Sequence, residues 1–95
     1  MAKRETGAKV RDKRSAGSRQ VRTAIVGARV RDLRDRRQWS QPELAYRSGL
    51  HPTDISLLEN GRKDVVTARF LRLVVALDTS ADYLLGLTDM PGRAR

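Results

Sequence analysis

Side chains able to do covalent or acid–base chemistry are few in this sequence. There is one histidine, His51, no cysteine, and eleven scattered Asp and Glu residues. A nucleophile needs an adjacent base, and acid–base work needs titratable groups gathered around one proton; the spacing offers neither. No catalytic set, metal site, cofactor or small-molecule ligand is expected. Positive charge is what the chain has in excess. Twenty Lys and Arg face eleven Asp and Glu, for a net charge of +9 and a pI near 11.2. Such a surplus suits a polyanionic partner, with nucleic acid ahead of acidic lipid. One stretch departs from it. "SGLHPTDISLLENG", residues 48–61, holds no Lys or Arg and carries Asp54 and Glu59, while Arg47 and the Arg62-Lys63 pair stand just outside.

Ninety-five residues bound one small domain, near the lower limit for a self-sufficient core. With no cysteine to cross-link, a reducing, cytoplasmic setting is expected. The longest apolar run, Leu73 to Leu77, is too short to span a bilayer, and no apolar segment follows the basic start as a secretory signal would require.

The charge is unevenly spread. Residues 1–22 hold eight Lys and Arg against two acids, with Val10 and Val21 as their only sizeable apolar residues. Such a segment buries too little to offset its ordering entropy, so a disordered basic arm is expected there. Residues 23–88 form the domain. Thr23 is the expected N-cap of a first helix whose inner face is Val26, Val30 and Leu33. Ser40-Gln41-Pro42-Glu43 has the form of a capping box that opens a second helix, with Leu44 and Ala45 inward and Gly49 at its end. Trp39, just before the cap, is read as a hydrophobic staple. A third helix runs from about His51 to Glu59, with Pro52 in its first turn, Ile55 and Leu58 inward, and Asn60-Gly61 closing it. A fourth spans about Thr67 to Leu77 on Phe70, Leu73, Val74 and Leu77. Ser80 caps a short fifth through Tyr83, Leu84 and Leu85. A frayed tail is expected from Asp89 to Arg95. Strand-like alternation and internal repeats are both missing from the sequence, so the expected fold is all-α, a five-helix bundle.

Helices two and three are joined by a short turn containing Gly49, which sets two helices at a steep angle. Around that turn, "VGARVRDLRDRRQWSQPELAYRSGLHPTDISLLENGRK" resembles the helix-turn-helix domain of the phage repressor and Cro family, the XRE-like regulators. Val30, Leu33, Arg34, Ser40-Gln41, Glu43-Leu44-Ala45, Gly49, Ile55 and Leu58-Glu59-Asn60-Gly61 carry the likeness. It continues through "FLRLVVALDTSADYLLGL", over about residues 24–87 without a gap.

The resemblance implies a lambda repressor-like DNA-binding domain whose third helix lies in the major groove. Base edges would then be read by Pro52, Thr53, Ser56 and Leu57. Phosphates would be held by Gln41 at the first turn of helix two, by Arg47, and by Asn60, Arg62 and Lys63. Relatives pair the residue at Glu59 with an arginine of the first helix, here Arg34, as a structural ion pair. Two readings stay open for Asp54: a charge near a phosphate that weakens binding, or an acceptor for cytosine N4. The third helix lacks the Gln and Arg that read adenine and guanine bidentately, and Pro52 stands where relatives often carry such a Gln. Specificity is therefore expected to lean on DNA shape or on the arm. Tyr83, Leu84 and Leu85 are expected in the core, alone or with a dimer contact added, and the resemblance favours the second.

The expected function is a dimeric, sequence-specific transcriptional repressor acting on double-stranded DNA at the nucleoid. The reading includes no ligand-sensing domain; a phage-type repressor, a restriction-modification controller and an antitoxin with a toxin partner all fit it. The competing reading is an interaction protein like the multiprotein bridging factors. A nonspecific nucleic-acid coat, working through the arm alone, is the third.

Overall fold

A computed structural model describes residues 21–92. The regular structure in this part is entirely helical. Helix α1 occupies residues 21–36, α2 Gln41–Ser48, α3 Pro52–Glu59, α4 Thr67–Ala76 and α5 Ala81–Leu84. Most of the basic arm lies outside the described residues, and so do residues 93–95; of the arm, Val21 and Arg22 are helical.

The apolar spacing explains which faces turn inward. Val30, Leu44, Ile55, Leu73, Leu77 and Leu84 are fully buried, joined by Val26, Leu33, Ala45, Leu50, Leu58 and Tyr83. Phe70, Val74, Trp39 and Leu85 pack against this core but keep part of their surface. Every helix thus contributes at least one buried side chain, as a bundle of short amphipathic helices requires.

The ends of the helices share one device. Each stops on a residue with positive φ: Gln38, Gly49, Gly61, Asp78 and Gly86. In each case the next N–H reaches back five residues to a carbonyl: Trp39 to Arg34, Leu50 to Ala45, Arg62 to Leu57, Thr79 to Val74, and Leu87 to Asp82. These bonds satisfy carbonyls that a helix end leaves unpaired. Glycine takes this conformation without steric cost, but Gln38 and Asp78 do so at φ 58° and 51°.

Several expectations need correcting. Thr23 does not cap α1; it lies inside that helix and is buried. Ser40 caps α2 by accepting from the Glu43 N–H, but the Glu43 carboxylate turns to Arg47 Nε at 2.6 Å instead of back to Ser40. An i,i+4 partner of opposite charge has outcompeted the second half of the capping box. Helix α5 ends one residue early, at Leu84. Of the three residues expected in the core with a dimer contact, Tyr83 and Leu84 are 6% and 0% exposed and leave no surface for a partner, while Leu85 keeps part of its surface. The core claims Tyr83 and Leu84 because α5 is only one turn long and has no other large apolar residue to anchor it.

Residues 88–91 are held rather than frayed. Arg29 donates to the carbonyls of Tyr83 and Thr88 at 2.9 and 2.6 Å, pairs with Asp89 at 3.1 Å, and lies 4.4 Å over the Tyr83 ring. The Thr79 hydroxyl donates to the Pro91 carbonyl at 2.8 Å.

Candidate nucleic-acid interface

Beyond the core packing of Ile55 and Leu58, two contacts set the C-terminal end of α3 on the rest of the domain. Gly27 of α1 lies against its C-terminal turn: a Cβ on Gly27 would stand 2.1 Å from the Leu58 carbonyl oxygen. No side chain fits there. This close approach places Arg34, two turns further along α1, beside Glu59. Arg34 Nε and Nη2 donate to the two Glu59 carboxylate oxygens at 2.7 and 2.9 Å, and Gln41 Nε2 adds a third bond at 3.0 Å. A further bond runs from Arg34 Nη1 to the Trp39 carbonyl at 2.7 Å. The Glu59 side chain is 2% exposed and that of Arg34 12%. The hydrogen bond to Glu59 raises the Arg34 pKa further above its usual range, against the opposing effect of burial. The negative charge of Glu59 is thus spent inside the protein and leaves α3 without net repulsion at this end.

The other end of α3 is open. His51 Nδ1 caps it by accepting from the Thr53 N–H at 3.1 Å, with Pro52 in the first turn. Pro52 and Thr53 are exposed; Ser56 and Leu57 are half-buried on the same outward side, opposite Ile55 and Leu58. The four expected base-reading residues therefore share one face, and it carries no charge.

Around this face the expected phosphate ligands stand in different states. Asn60 and Arg62 are exposed just after α3. Gln41 is half-buried, with its amide nitrogen engaged by Glu59. Arg47 pairs with Glu43 and lies 4.2 Å over the Trp39 ring, which Arg37 approaches at 5.6 Å. Lys63 Nζ sits 2.6 Å from Asp54 Oδ1, and Arg69 lies 3.5 Å from Oδ2. The hydrogen bond from Lys63, with the positive charges of Lys63 and Arg69, holds the Asp54 carboxyl below its ordinary range. Sequence reasoning did not foresee the Gln41–Glu59 bond, the Arg37–Trp39 contact or the Asp54 cluster. Arg69 comes from α4, fifteen positions from Asp54, and no local pattern links them.

Among the described residues no group of three or more His, Asp or Glu could hold a metal ion, and no helix is long and apolar enough to cross a membrane.

A family model for the helix-turn-helix domain matches residues 25–84, which is the region built around α2 and α3. The chain belongs to that family. Its helix-turn-helix domain is of the phage repressor, or XRE-like, kind, as its structural relatives show. One is the restriction-modification controller protein C.AhdI from Aeromonas hydrophila, at 34% identity and a TM-score of 0.62, over 65% of this chain and 94% of that one. Another is the hypothetical transcription factor NHTF from Neisseria, at 31% identity and a TM-score of 0.65, over 70% of this chain and 77% of that one. No curated protein matches the sequence. The helix-turn-helix domain and these relatives make the chain a DNA-binding regulator and not an enzyme.

Proposed function

We propose that this protein represses transcription by binding, as a homodimer, a two-fold site on double-stranded DNA. The observation that carries this reading is the state of α3. Its outward face is free of charge, its Glu59 is neutralised internally by Arg34, and cations stand at its borders. Phosphates position a protein on the duplex, whereas base edges specify the sequence. Cations therefore belong at the rim, and the groove-facing helix needs shape and a few hydrogen bonds.

In this reading α3 enters the major groove. Thr53 and Ser56 offer hydroxyls to base edges, Leu57 meets a thymine methyl, and Pro52 shapes the approach. Gln41, Arg47, Asn60 and Arg62 hold the backbone on either side, and Lys63 stands beside them paired with Asp54. A second copy would bring the second half-site into register. Exposed apolar residues support such a contact: Leu71 and Val75, one turn apart on α4, and Leu87 and Met90 after α5. The likeness to a restriction-modification controller favours a controller's role, and DNA as partner goes with a cytoplasmic, nucleoid-associated location.

Selection of bound duplexes from a random pool tests this. A two-fold motif, and a dimer by sedimentation at the binding concentration, are the expected results. A single half-site motif bound by a monomer would overturn the dimer. Recovery of no motif would overturn sequence-specific repression and favour the bridging reading.

A further inference from the structure

Asp54 is the one acid on the open side of α3. It lies one turn before Leu57, which faces outward, and Leu58, which is buried, so it marks the border between reading face and core. Its carboxylate has two cationic partners from two other segments: Lys63 from the loop after α3 and Arg69 from α4. The three side chains keep 26%, 42% and 49% of their surface, so the cluster stands at the protein boundary and meets solvent. Together with Leu50, Leu58 and Val65 they line a recess beside the helix, and so does Asp64, an exposed acid that accepts from the Val65 N–H and adds the same charge with or without Asp54. Arg62, the neighbour of Lys63, is exposed, and no carboxylate lies within ion-pair distance of it among the described residues.

We propose that Asp54 attenuates DNA binding by withholding Lys63 and Arg69 from the phosphate backbone. The inference rests on the proposed docking of α3 and assigns Asp54 a part in setting its strength. Each cation that neutralises a phosphate releases counterions, and this gain is independent of sequence. A cation already paired with a carboxylate has exchanged its counterion for a protein group and gains much less. With Asp54 in place, the border after α3 presents Arg62 at full charge, while the cluster of three presents a net single charge. A phosphate can recruit Lys63 only by competing with a carboxylate 2.6 Å away. The depressed titration of Asp54 agrees: the carboxylate keeps its charge, and hence its hold, well into acid. In the opposed reading Asp54 Oδ2, 3.5 Å from Arg69, would accept from cytosine N4 while Oδ1 keeps Lys63.

The test measures affinity of the full chain for a random-sequence duplex and for the selected duplex across a salt series. Asp54→Asn keeps the shape and removes the charge. It should bind both duplexes at least about fivefold more tightly at 0.1 M salt and steepen the slope of log affinity against log salt by about 1 to 2. Lys63→Gln should change that slope little in the unaltered chain and by about 1 in the Asp54→Asn background. Arg69→Gln, which leaves the Asp54–Lys63 bond in place, should change binding less than about twofold, the residue of one withheld contact. The proposal is overturned by equal or weaker binding of Asp54→Asn, or by a Lys63→Gln effect that is the same in both backgrounds. Weaker binding confined to duplexes with cytosine at one position would assign Asp54 to base reading instead. If the unaltered chain binds no duplex, the docking of α3 falls first; that outcome needs no variant and is distinct from the others.

Discussion

Helix α3 carries a carboxylate near each end, and the two are held in opposite ways. Glu59 is sealed in: Arg34 and Gln41 give it three hydrogen bonds, and its side chain is 2% exposed. Asp54 is held at the surface by one lysine at 2.6 Å and one arginine at 3.5 Å. Breaking a buried pair strands a charge in a medium that cannot solvate it, whereas removing one member of an exposed pair leaves the other solvated and costs little stability. Two acids five residues apart thus serve different ends. Glu59 fixes where the helix sits, and Asp54 adjusts what surrounds it.

The contrast can be broken at its strong end first. Glu59→Ala leaves Arg34 buried without its partner and should cost about 3–5 kcal/mol of stability by urea denaturation. A cost below about 1 kcal/mol would place Glu59 in the same class as Asp54. Gly27→Ala attacks the same end without touching a charge. Its methyl meets a backbone carbonyl, so α1 must move off α3, at about 1–3 kcal/mol. A crystal structure of the variant should show the Arg34–Glu59 distances lengthened; unchanged distances with full stability would mean that the helix seat tolerates the displacement.

The middle of the helix separates stability from reading. Thr53→Ala should leave the melting temperature nearly unchanged and lower discrimination at one or two base pairs by roughly 1 kcal/mol, read from the selected motif. An unchanged motif would mean that this face does not read bases.

The weak end gives the smallest effect and a pH signature. The Asp54 carboxyl titrates below its unfolded value of about 3.9. Its contribution to stability is therefore complete above that value and is lost as the pH falls through the folded one. The gap in urea midpoint between the unaltered protein and Asp54→Asn should be small and constant from about pH 5 to 7, and should narrow progressively as the pH falls below about 4. A gap that widens in acid would contradict the pairing.

Much of the architecture was legible because it follows periods and caps. Val26, Val30 and Leu33, or Ile55 and Leu58, announce a buried face by spacing alone. Ser40, Ser80 and Gly49 mark ends through chemistry local to a few residues. Three features were not legible. Gln38 and Asp78 take a conformation that glycine prefers, because satisfying helix-end carbonyls outweighs the steric cost; Gln gives no sign of it and Asp only a weak one. Tyr83 and Leu84 have the types found both in cores and in interfaces, and only the depth of α5 decides between them. The Asp54 cluster joins three segments, so its geometry exists only once the chain has folded. For the site itself, the outward placement of Thr53 and Pro52 followed from the helix boundary. The Arg34–Glu59 pair came from family likeness, since the two are twenty-five residues apart.

Arg29 has a mechanical consequence. Its guanidinium grips Tyr83, Thr88 and Asp89, so that residues sixty apart meet at one clasp. Nearly the whole described segment is a loop closed without a covalent link. Closing a loop of this length is entropically costly, and the cost rises only slowly with added residues. A segment inserted between α3 and α4 would therefore stretch the loop without opening it. A pull on the C-terminal end would load the clasp before it reached the helices that hold α3 in place.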